Sequence, residues 1–257
     1  GSMSPLNPQA PRPLYLQLAD ELREQIRRGD LKPGERLPAE RKLAEAYGTS
    51  LSTIKLALGA LKAEALITSG HGRGTFVRTR PPARLEFHRF APGQREPGSG
   101  PFKAAVERVG MSGQIRLAAV ERQAADAELA HRLGISEGDQ VIVRSRHMLA
   151  DGEPIQLFDA FYPLALFEGT ELETPTLTSG GIHAAFQRLD YHPERAVEEV
   201  SARAPTPDEA SLLRLGTGVP VLTITRTTYD PAGRALEVTE LVANAEANVF
   251  LYEGPLN

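Results

Sequence analysis

Residues 38–61 read PAERKLAEAYGTSLSTIKLALGAL, and this stretch predicts a helix-turn-helix. Proline and the residues after it suit the start of a short helix, and Gly48 suits its end. Ser50 is a typical N-cap for a second helix. Apolar residues at helical spacing mark the inward faces of both helices: Leu43, Ala44, Ile54, Ala57, Leu58 and Leu61. We therefore expect two short helices to meet across residues 47–49.

The segments on either side extend this unit. Before it, four apolar residues predict one amphipathic helix that ends at Gly29: Leu14, Leu18, Leu22 and Ile26. After it, residues 66–68 and 75–77 flank a run of glycines with His71 and Arg73, which predicts a β-hairpin with a basic tip. The predicted order is helix, helix-turn-helix and wing.

Polar side chains at the start of the second helix suit DNA reading. In a helix-turn-helix, the N-terminal residues of the second helix contact the base edges of the major groove. Ser52, Thr53 and Lys55 face outward there, and Arg73 at the wing tip suits a groove or a phosphate. A solvated three-helix domain with an ordinary hairpin explains each of these residues taken singly. Their ordered combination favours DNA binding.

Charge is divided unevenly along the 257 residues. Residues 1–80 carry a net charge of +5 and residues 81–257 a net charge of −9, as in a nucleic-acid reader joined to another module.

The chain has no cysteine, which excludes disulfides and thiol catalysis. No apolar run approaches the ~18–20 residues of a membrane helix, so we expect a soluble, cytoplasmic protein with no membrane partner. Residues 1–3 resemble an expression scar.

Composition also divides the chain into domains. Residues 81–101 hold five prolines and three glycines, which predicts a linker with a short extended stretch at Leu85–His88. A DNA-binding domain is then expected over residues 1–80 and a second domain over residues 102–257.

The second domain repeats itself at an offset of 80 residues: Ala130 with Ala210, Leu133 with Leu213, Gly138 with Gly218, Val141 with Val221 and Arg146 with Arg226. Each repeat reads as helix, glycine turn, strand, hairpin and strand, which predicts an antiparallel sheet in an α/β domain and an α+β chain overall.

Arg144 and Arg146 stand two residues apart on a predicted strand and therefore project from the same face. Two neighbouring guanidiniums repel each other unless something anionic lies between them. From the residues alone, two interpretations stay open. The arginines either pair with the surplus carboxylates of this domain or form a fork for a phosphate or carboxylate ligand.

Six short motifs carry a resemblance: Pro13-Leu14-Tyr15, Gly29-Asp30-Leu31, Pro33-Gly34, Leu37-Pro38-Ala39-Glu40-Arg41, Leu43-Ala44 and Gly72–Val77. From Pro13 to Val77 the chain resembles the winged-helix domain of GntR-family bacterial transcription regulators. The resemblance implies operator contacts from the helix-turn-helix and the wing: Arg41, Ser50, Ser52, Thr53, Lys55, His71, Gly72, Arg73 and Thr75. Where the family usually has Arg after the capping serine, this chain has Leu51, which changes the expected operator sequence but leaves phosphate contacts intact.

A second resemblance rests on the Arg144-Ser145-Arg146 motif, the turn at residues 151–155, Tyr162-Pro163, Arg226 and Glu237. These residues are similar to the UTRA effector domain of the HutC subfamily, which has a chorismate-lyase-like fold. The resemblance implies a pocket for a small anionic metabolite, such as a sugar phosphate or a carboxylate, lined by Phe102, Lys103, Arg144, Arg146, Phe158, His183 and Glu237. Phe158 stands where Glu is frequent, and Lys103 and His183 stand where the subfamily usually has other residues. Together these differences indicate a more cationic or apolar pocket than the amino-sugar phosphate type.

Together, the two resemblances predict a repressor that is gated by its ligand, binds a palindromic operator as a homodimer and needs no cofactor or metal. An enzyme with the chorismate-lyase-like fold is one alternative, although the chain has no nucleophile elbow, phosphate loop or metal-spaced histidine cluster. A winged helix that binds protein instead of DNA is the other. Only Leu51 favours it.

Overall fold

The computed structural model describes residues 6–70, 72–78, 84–90, 100–216 and 218–257. The chain divides into two compact units. The first comprises residues 1–83 together with residues 215–219, and the second comprises residues 84–214 and 220–257. Among the described residues, no helix is both long enough and apolar enough to cross a bilayer.

The first unit is a three-helix domain with a hairpin, as predicted. Its elements are α1 (Leu14–Arg28), α2 (Glu40–Tyr47), α3 (Leu51–Ala63), β1 (Ile67–Gly70) and β2 (Gly74–Val77), with β1 and β2 antiparallel. Gly29 and Gly48 end the first two helices with positive φ angles of 85° and 63°, which glycine adopts without strain. The predicted inward faces form the core, in which Leu18, Ile54 and Leu61 are fully buried.

The second unit contains a six-stranded antiparallel sheet. Its strands are β4 (Gly113–Ala124), β5 (Gln140–Ala150), β6 (Glu153–Pro163), β7 (Arg195–Arg203), β8 (Val221–Tyr229) and β9 (Ala235–Asn244). They lie in the order β4-β5-β6-β9-β8-β7. Helix α5 (Ala127–Leu133) packs on one face, and α6 (Leu164–Phe167) and α7 (Gly181–Arg188) pack on the other.

The sheet confirms the internal repeat and extends it. The sequence predicts helix, strand and strand in each half, and the structure adds a leading strand to each. The halves are β4-α5-β5-β6 and β7-α8-β8-β9, where α8 spans Pro207–Leu212, and they meet where β6 pairs with β9. The added strands, β4 and β7, form the two edges of the sheet and are mostly exposed, so they lack the apolar pattern that marks a buried strand.

Part of the predicted 81–101 linker belongs to the second unit. Leu85–His88 forms β3, which pairs in parallel with β10 (Asn248–Leu251). Leu85 and Phe87 are buried in a cluster that also includes residues of α4 (Gly100–Glu107). The extended conformation of these four residues was predicted. Their place in the second unit was not, because the partner strand comes more than 150 residues later in the sequence. Residues 81–83 and 91–99 of the predicted linker lie outside the described residues.

Candidate nucleic-acid interface and ligand site

The start of α3 carries a cluster of three hydroxyl groups. Ser50 Oγ accepts a hydrogen bond from the backbone N–H of Thr53 at 3.2 Å. It also lies 2.9 Å from Ser52 Oγ and 3.0 Å from Thr53 Oγ1. Ser50 thus caps the helix as predicted and fixes its first turn. Ser52 and Lys55 are exposed, while Thr53 is half-buried.

Two more residues of the helix-turn-helix lie at helix starts. Arg41 lies in the first turn of α2 and is exposed. Leu51 is the first residue of α3, and 40% of its surface is exposed. The N-terminal ends of α2 and α3 therefore offer a guanidinium, an ammonium, a hydroxyl and an apolar side chain to the solvent.

Backbone hydrogen bonds hold the wing against the segment before α2. Three bonds of 2.8 Å join the two: Gly34 N–H to Val77 O, Leu37 N–H to Thr75 O and Val77 N–H to Glu35 O. Gly72 and Arg73 are exposed at the tip, and Thr75 is half-buried in β2. His71 lies outside the described residues. These hydrogen bonds hold β2 in place, and β2 in turn fixes the position of Arg73 at the wing tip.

Arg36 lies in the segment before α2 and contacts the wing, which the sequence analysis missed. It forms an isolated antiparallel bridge with Phe76, and its side chain packs over Gly74. A Cβ at Gly74 would lie 2.6 Å from Arg36 Nε, and Gly74 has a φ of +105°. Glycine at this position therefore permits both the turn and the close approach of a guanidinium.

In the second unit, Arg144 is buried and donates three hydrogen bonds to backbone carbonyls. Its Nη1 donates to the carbonyl oxygens of Leu172 at 2.8 Å and Thr174 at 3.0 Å, and its Nη2 donates to that of Thr176 at 2.7 Å. Burial lowers the pKa of the Arg144 guanidinium. The structure therefore presents Arg144 as a support for residues 172–176. The sequence analysis left open pairing with carboxylates or a fork for an anionic ligand, and these carbonyl partners correspond to neither.

Arg146 lies on the same face of β5 in a different environment. Its guanidinium carbon is 4.6 Å from the centre of the Phe158 ring, which is a cation–π distance. Its Nε atom is buried and has no hydrogen-bond partner among the described residues. A buried donor without a partner is costly, so this atom suits an added acceptor.

Glu237 is buried near this arginine. Its Oε2 accepts a hydrogen bond from the Tyr162 hydroxyl at 2.6 Å. Burial raises the pKa of Glu237, and the Tyr162 hydrogen bond and the charges of Arg146 and Arg226 oppose this rise. Burial also raises the pKa of Tyr162, whose ring packs edge-on against Phe167 at 5.8 Å. A carboxyl group and a guanidinium thus share one low-dielectric region.

The other predicted effector residues lie on α4, β6 and α7. Phe102 on α4 stacks on Phe87 with ring centroids 5.7 Å apart, and Phe158 packs against the same cluster. Lys103 is half-buried on α4, and His183 is half-buried in the first turn of α7. The structure therefore brings Arg146, Phe158 and Glu237 together with their neighbours, and it places Lys103 and His183 on adjoining elements.

Glu198 on β7 forms the centre of a network that the sequence analysis missed. Its side chain is 2% exposed, and its carboxylate accepts three sets of hydrogen bonds. The donors are Arg89 Nη2 at 2.6 Å, Arg226 Nη1 at 2.9 Å and the Tyr252 hydroxyl at 2.7 Å. Burial raises the pKa of Glu198, but these donors hold it below its usual value.

Two family models match the chain. Residues 14–77 match the one described as bacterial regulatory proteins, gntR family. Residues 108–247, more than half of the chain, match the UTRA domain. The chain belongs to the GntR family. It has the winged-helix and UTRA architecture that the sequence analysis predicted.

Relatives of this GntR regulator support the assignment over nearly the whole chain. An uncharacterised HTH-type transcriptional regulator of Streptomyces coelicolor is 34% identical, covering 90% of this chain and 87% of its own length. The HTH-type transcriptional repressor NagR of Bacillus subtilis is 32% identical, covering 96% and 97%. A crystal structure of a GntR-family transcriptional regulator matches with a TM-score of 0.67 and 29% identity, covering 96% of this chain and 99% of that one.

These relatives also decide between the alternatives. Because they are transcriptional regulators by name, this GntR protein is a DNA-binding regulator and not an enzyme.

Among the described residues no cluster of three or more metal-ligating side chains occurs. A shallow groove of about 320 Å³ lies beside α5 on the opposite face of the sheet from Arg146, and none of the predicted site residues lines it.

The Glu198 network of this GntR regulator could hardly be predicted from the sequence. Arg89 lies within the predicted linker, 109 residues from Glu198, and Tyr252 lies 54 residues after it. The one local signal is the alternation of β7, which places Glu198 on the opposite face from Val197 and Glu199. Alternation identifies the face of the sheet but not the partner.

Proposed function

We propose that this GntR regulator represses transcription by binding a palindromic operator as a homodimer, and that a small anionic metabolite in the UTRA domain changes its affinity for DNA. The start of α3 carries the proposal, because Ser52 and Lys55 project from a helix whose first turn is fixed by the Ser50 cap. The name of NagR supports the repressing role. Such a repressor acts in the cytoplasm, where its operator lies.

The DNA-binding residues divide by chemistry. Ser52 and Thr53 are short hydrogen-bonding side chains that suit base edges, while Lys55 and Arg41 also supply positive charge for phosphates. On the wing, the exposed Arg73 and the neighbouring His71 and Gly72 suit a groove or a phosphate. Ser50 and Thr75 act through the helix cap and the anchored strand, which position the others.

In the effector site, Arg146 is the residue that suits an anion. Its Nε is buried without a partner among the described residues, and Phe158 covers its guanidinium. Glu237 adds an acceptor for a hydroxyl or amine on the same ligand. Arg144 supports the 172–176 segment beside them, and Phe102, Lys103 and His183 complete the surroundings. This arrangement supports a phosphorylated or carboxylated polar metabolite.

DNA binding is tested with duplexes from the promoter next to the gene, by fluorescence anisotropy at two salt concentrations. We expect affinity to fall steeply with salt because phosphate contacts release counterions. Lys55→Ala should weaken binding about 10-fold, within the usual range for a base or phosphate contact. Lys32→Ala, an exposed lysine outside the predicted set, serves as the matched control. Absence of salt-dependent binding, or equal losses in both variants, contradicts the proposal.

The effector site is tested by melting temperature with a panel of hexose phosphates, dicarboxylates and phosphonates. A ligand that binds the native state raises the melting temperature. We expect at least one compound to stabilise the wild type, and Arg146→Gln to abolish that shift. Arg195→Gln is the control, because Arg195 stacks on Tyr229 at 4.2 Å on the opposite face of the sheet. A compound that stabilises all three proteins equally contradicts the Arg146 site.

A further inference from the structure

Leu51 is an apolar side chain exposed at the start of α3. As the first residue of the helix it is 40% exposed, and it is not part of the hydrophobic core formed by the described residues of its unit. Its helical neighbours Ile54 and Leu58 are buried in that core. The fold of this unit therefore does not use the Leu51 side chain, which stands beside Ser52 and Lys55.

The chemistry of the major groove limits what Leu51 can contact. A leucine neither donates nor accepts hydrogen bonds, so it cannot read a base through its polar edge. The 5-methyl group of thymine is the apolar feature that base pairs display in the major groove. Contact between this methyl group and Leu51 removes both apolar surfaces from water, which is favourable.

We infer that Leu51 contacts a thymine methyl group in each half of the operator and thereby specifies a T·A pair there. The inference rests on the proposed DNA-binding function and adds a specificity-determining residue to it. Leu56 is the other exposed leucine of α3, at 58%, but it lies in the second turn, farther from the end of the helix that contacts base edges. Leu56 therefore provides a matched comparison.

The test begins with an operator selected from random duplexes by the full-length protein. Each thymine of that operator is then replaced singly by deoxyuracil, which removes the methyl group and preserves base pairing. We expect one position in each half-site at which this replacement weakens binding by the wild type about three- to five-fold, the effect of one buried methyl group. In Leu51→Ala the same replacement should have no effect, while in Leu56→Ala the loss should persist.

Three outcomes overturn the inference while DNA binding persists: uracil is tolerated at every position, the methyl dependence survives in Leu51→Ala, or it disappears in Leu56→Ala instead. Selection with Leu51→Arg adds a second readout, because arginine pairs with guanine edges and should replace T·A by G·C at that position. An unchanged selected sequence also overturns the inference. Failure to select any duplex refutes the proposed function itself. Circular dichroism of each variant confirms that it is folded.

Discussion

At the scale of single residues, Arg144 and Arg146 show how one repeated residue type serves two roles. They project from the same face of β5, yet Arg144 donates to three backbone carbonyls and Arg146 retains a buried donor without a described partner. The difference comes from the segment at residues 172–176, which passes over one guanidinium only. A shared strand face is therefore not a shared function.

Arg144→Ala should destabilise the protein far more than Arg146→Ala. It removes the donor of one buried hydrogen bond, to the Leu172 carbonyl, and of two part-buried ones, to Thr174 and Thr176, which we expect to cost on the order of 3 kcal/mol. Arg146→Ala removes one cation–π contact and should cost about 1 kcal/mol. Urea denaturation measures both. Equal losses would show that the carbonyl contacts of Arg144 contribute little.

Glu237→Gln should change how stability depends on pH. The pKa of Glu237 is raised above 4.5 in the folded state, mainly by burial, so the folded protein holds this proton more tightly than the unfolded chain does. The carboxyl group therefore lowers stability as pH rises through 4.5 towards its folded pKa. Relative to Glu237→Gln, the wild type should lose stability over that range and then level off. Parallel pH profiles of the two proteins, in urea denaturation, would contradict this assignment.

At the scale of elements, a capping box formed by residues close in sequence stabilises the start of α8. Thr206 Oγ1 accepts from the Glu209 N–H at 3.2 Å, and Glu209 Oε1 accepts from the Thr206 N–H at 2.9 Å. The Arg203 hydrogen bond, together with the Thr206 backbone, lowers the pKa of Glu209 to about 2. We expect Thr206→Ala to cost about 1 kcal/mol, the usual value of an N-cap.

The loss of stability caused by Glu209→Gln should disappear at low pH. A carboxyl group whose folded pKa is depressed stabilises the fold above its unfolded pKa of 4.5, and this contribution is lost as pH falls towards 2. The stability difference between wild type and variant should therefore be greatest near neutral pH and shrink as pH falls from 4.5 to about 2. Glu153→Gln, which alters an exposed ion pair at 3.4 Å, is the control and should show little difference at any pH. A constant difference for Glu209→Gln would exclude the ion pair as its cause.

The wing offers a matched pair of glycine substitutions. Gly72 and Gly74 both have positive φ angles, of 67° and 105°, but only Gly74 packs beneath Arg36. Gly72→Ala should cost about 1 kcal/mol, because the left-handed region is strained for alanine. Gly74→Ala should cost more, because its Cβ would meet the Arg36 guanidinium, and should also weaken DNA binding by shifting the wing strand that positions Arg73. Thermal denaturation and anisotropy measure the two effects. Equal costs would mean that the Arg36 contact does not constrain this position.

At the scale of the whole molecule, Glu198 joins parts of the chain that are far apart in sequence. Arg89 follows β3, Arg226 lies on β8 and Tyr252 follows β10, so one carboxylate ties three segments to β7. Glu198→Ala leaves two guanidiniums without their partner and should cost about 3–5 kcal/mol, as for other broken buried ion pairs. Tyr252→Phe removes one hydrogen bond and should cost about 1 kcal/mol. A loss below 1 kcal/mol for Glu198→Ala would show that the network is dispensable.

Much of the first unit could be predicted from its sequence, and less of the ligand site. The Ser50 cap, the glycines that end α1 and α2 and the buried face of α3 follow from interactions within a few residues of the chain. The edge strands β4 and β7 were missed because a strand exposed along most of its length lacks the apolar alternation that identifies it. The extended stretch at Leu85–His88 was predicted, but its pairing with β10 was not, because the two strands are more than 150 residues apart in sequence.

The sequence alone determined the order of elements in the first unit, the family and the residue types available to each site, since helix caps, turns and alternation are local in origin. The tertiary structure decided the partners. Arg144 finds its carbonyls 28 to 32 residues away, and Glu198 finds Arg89 at a separation of 109. Periodicity tells which face a side chain occupies, but the path of the distant backbone decides whether that face meets a carbonyl, a carboxylate or an aromatic ring. That path therefore separates the engaged Arg144 from Arg146, whose buried Nε has no hydrogen-bond partner in the described part of the chain.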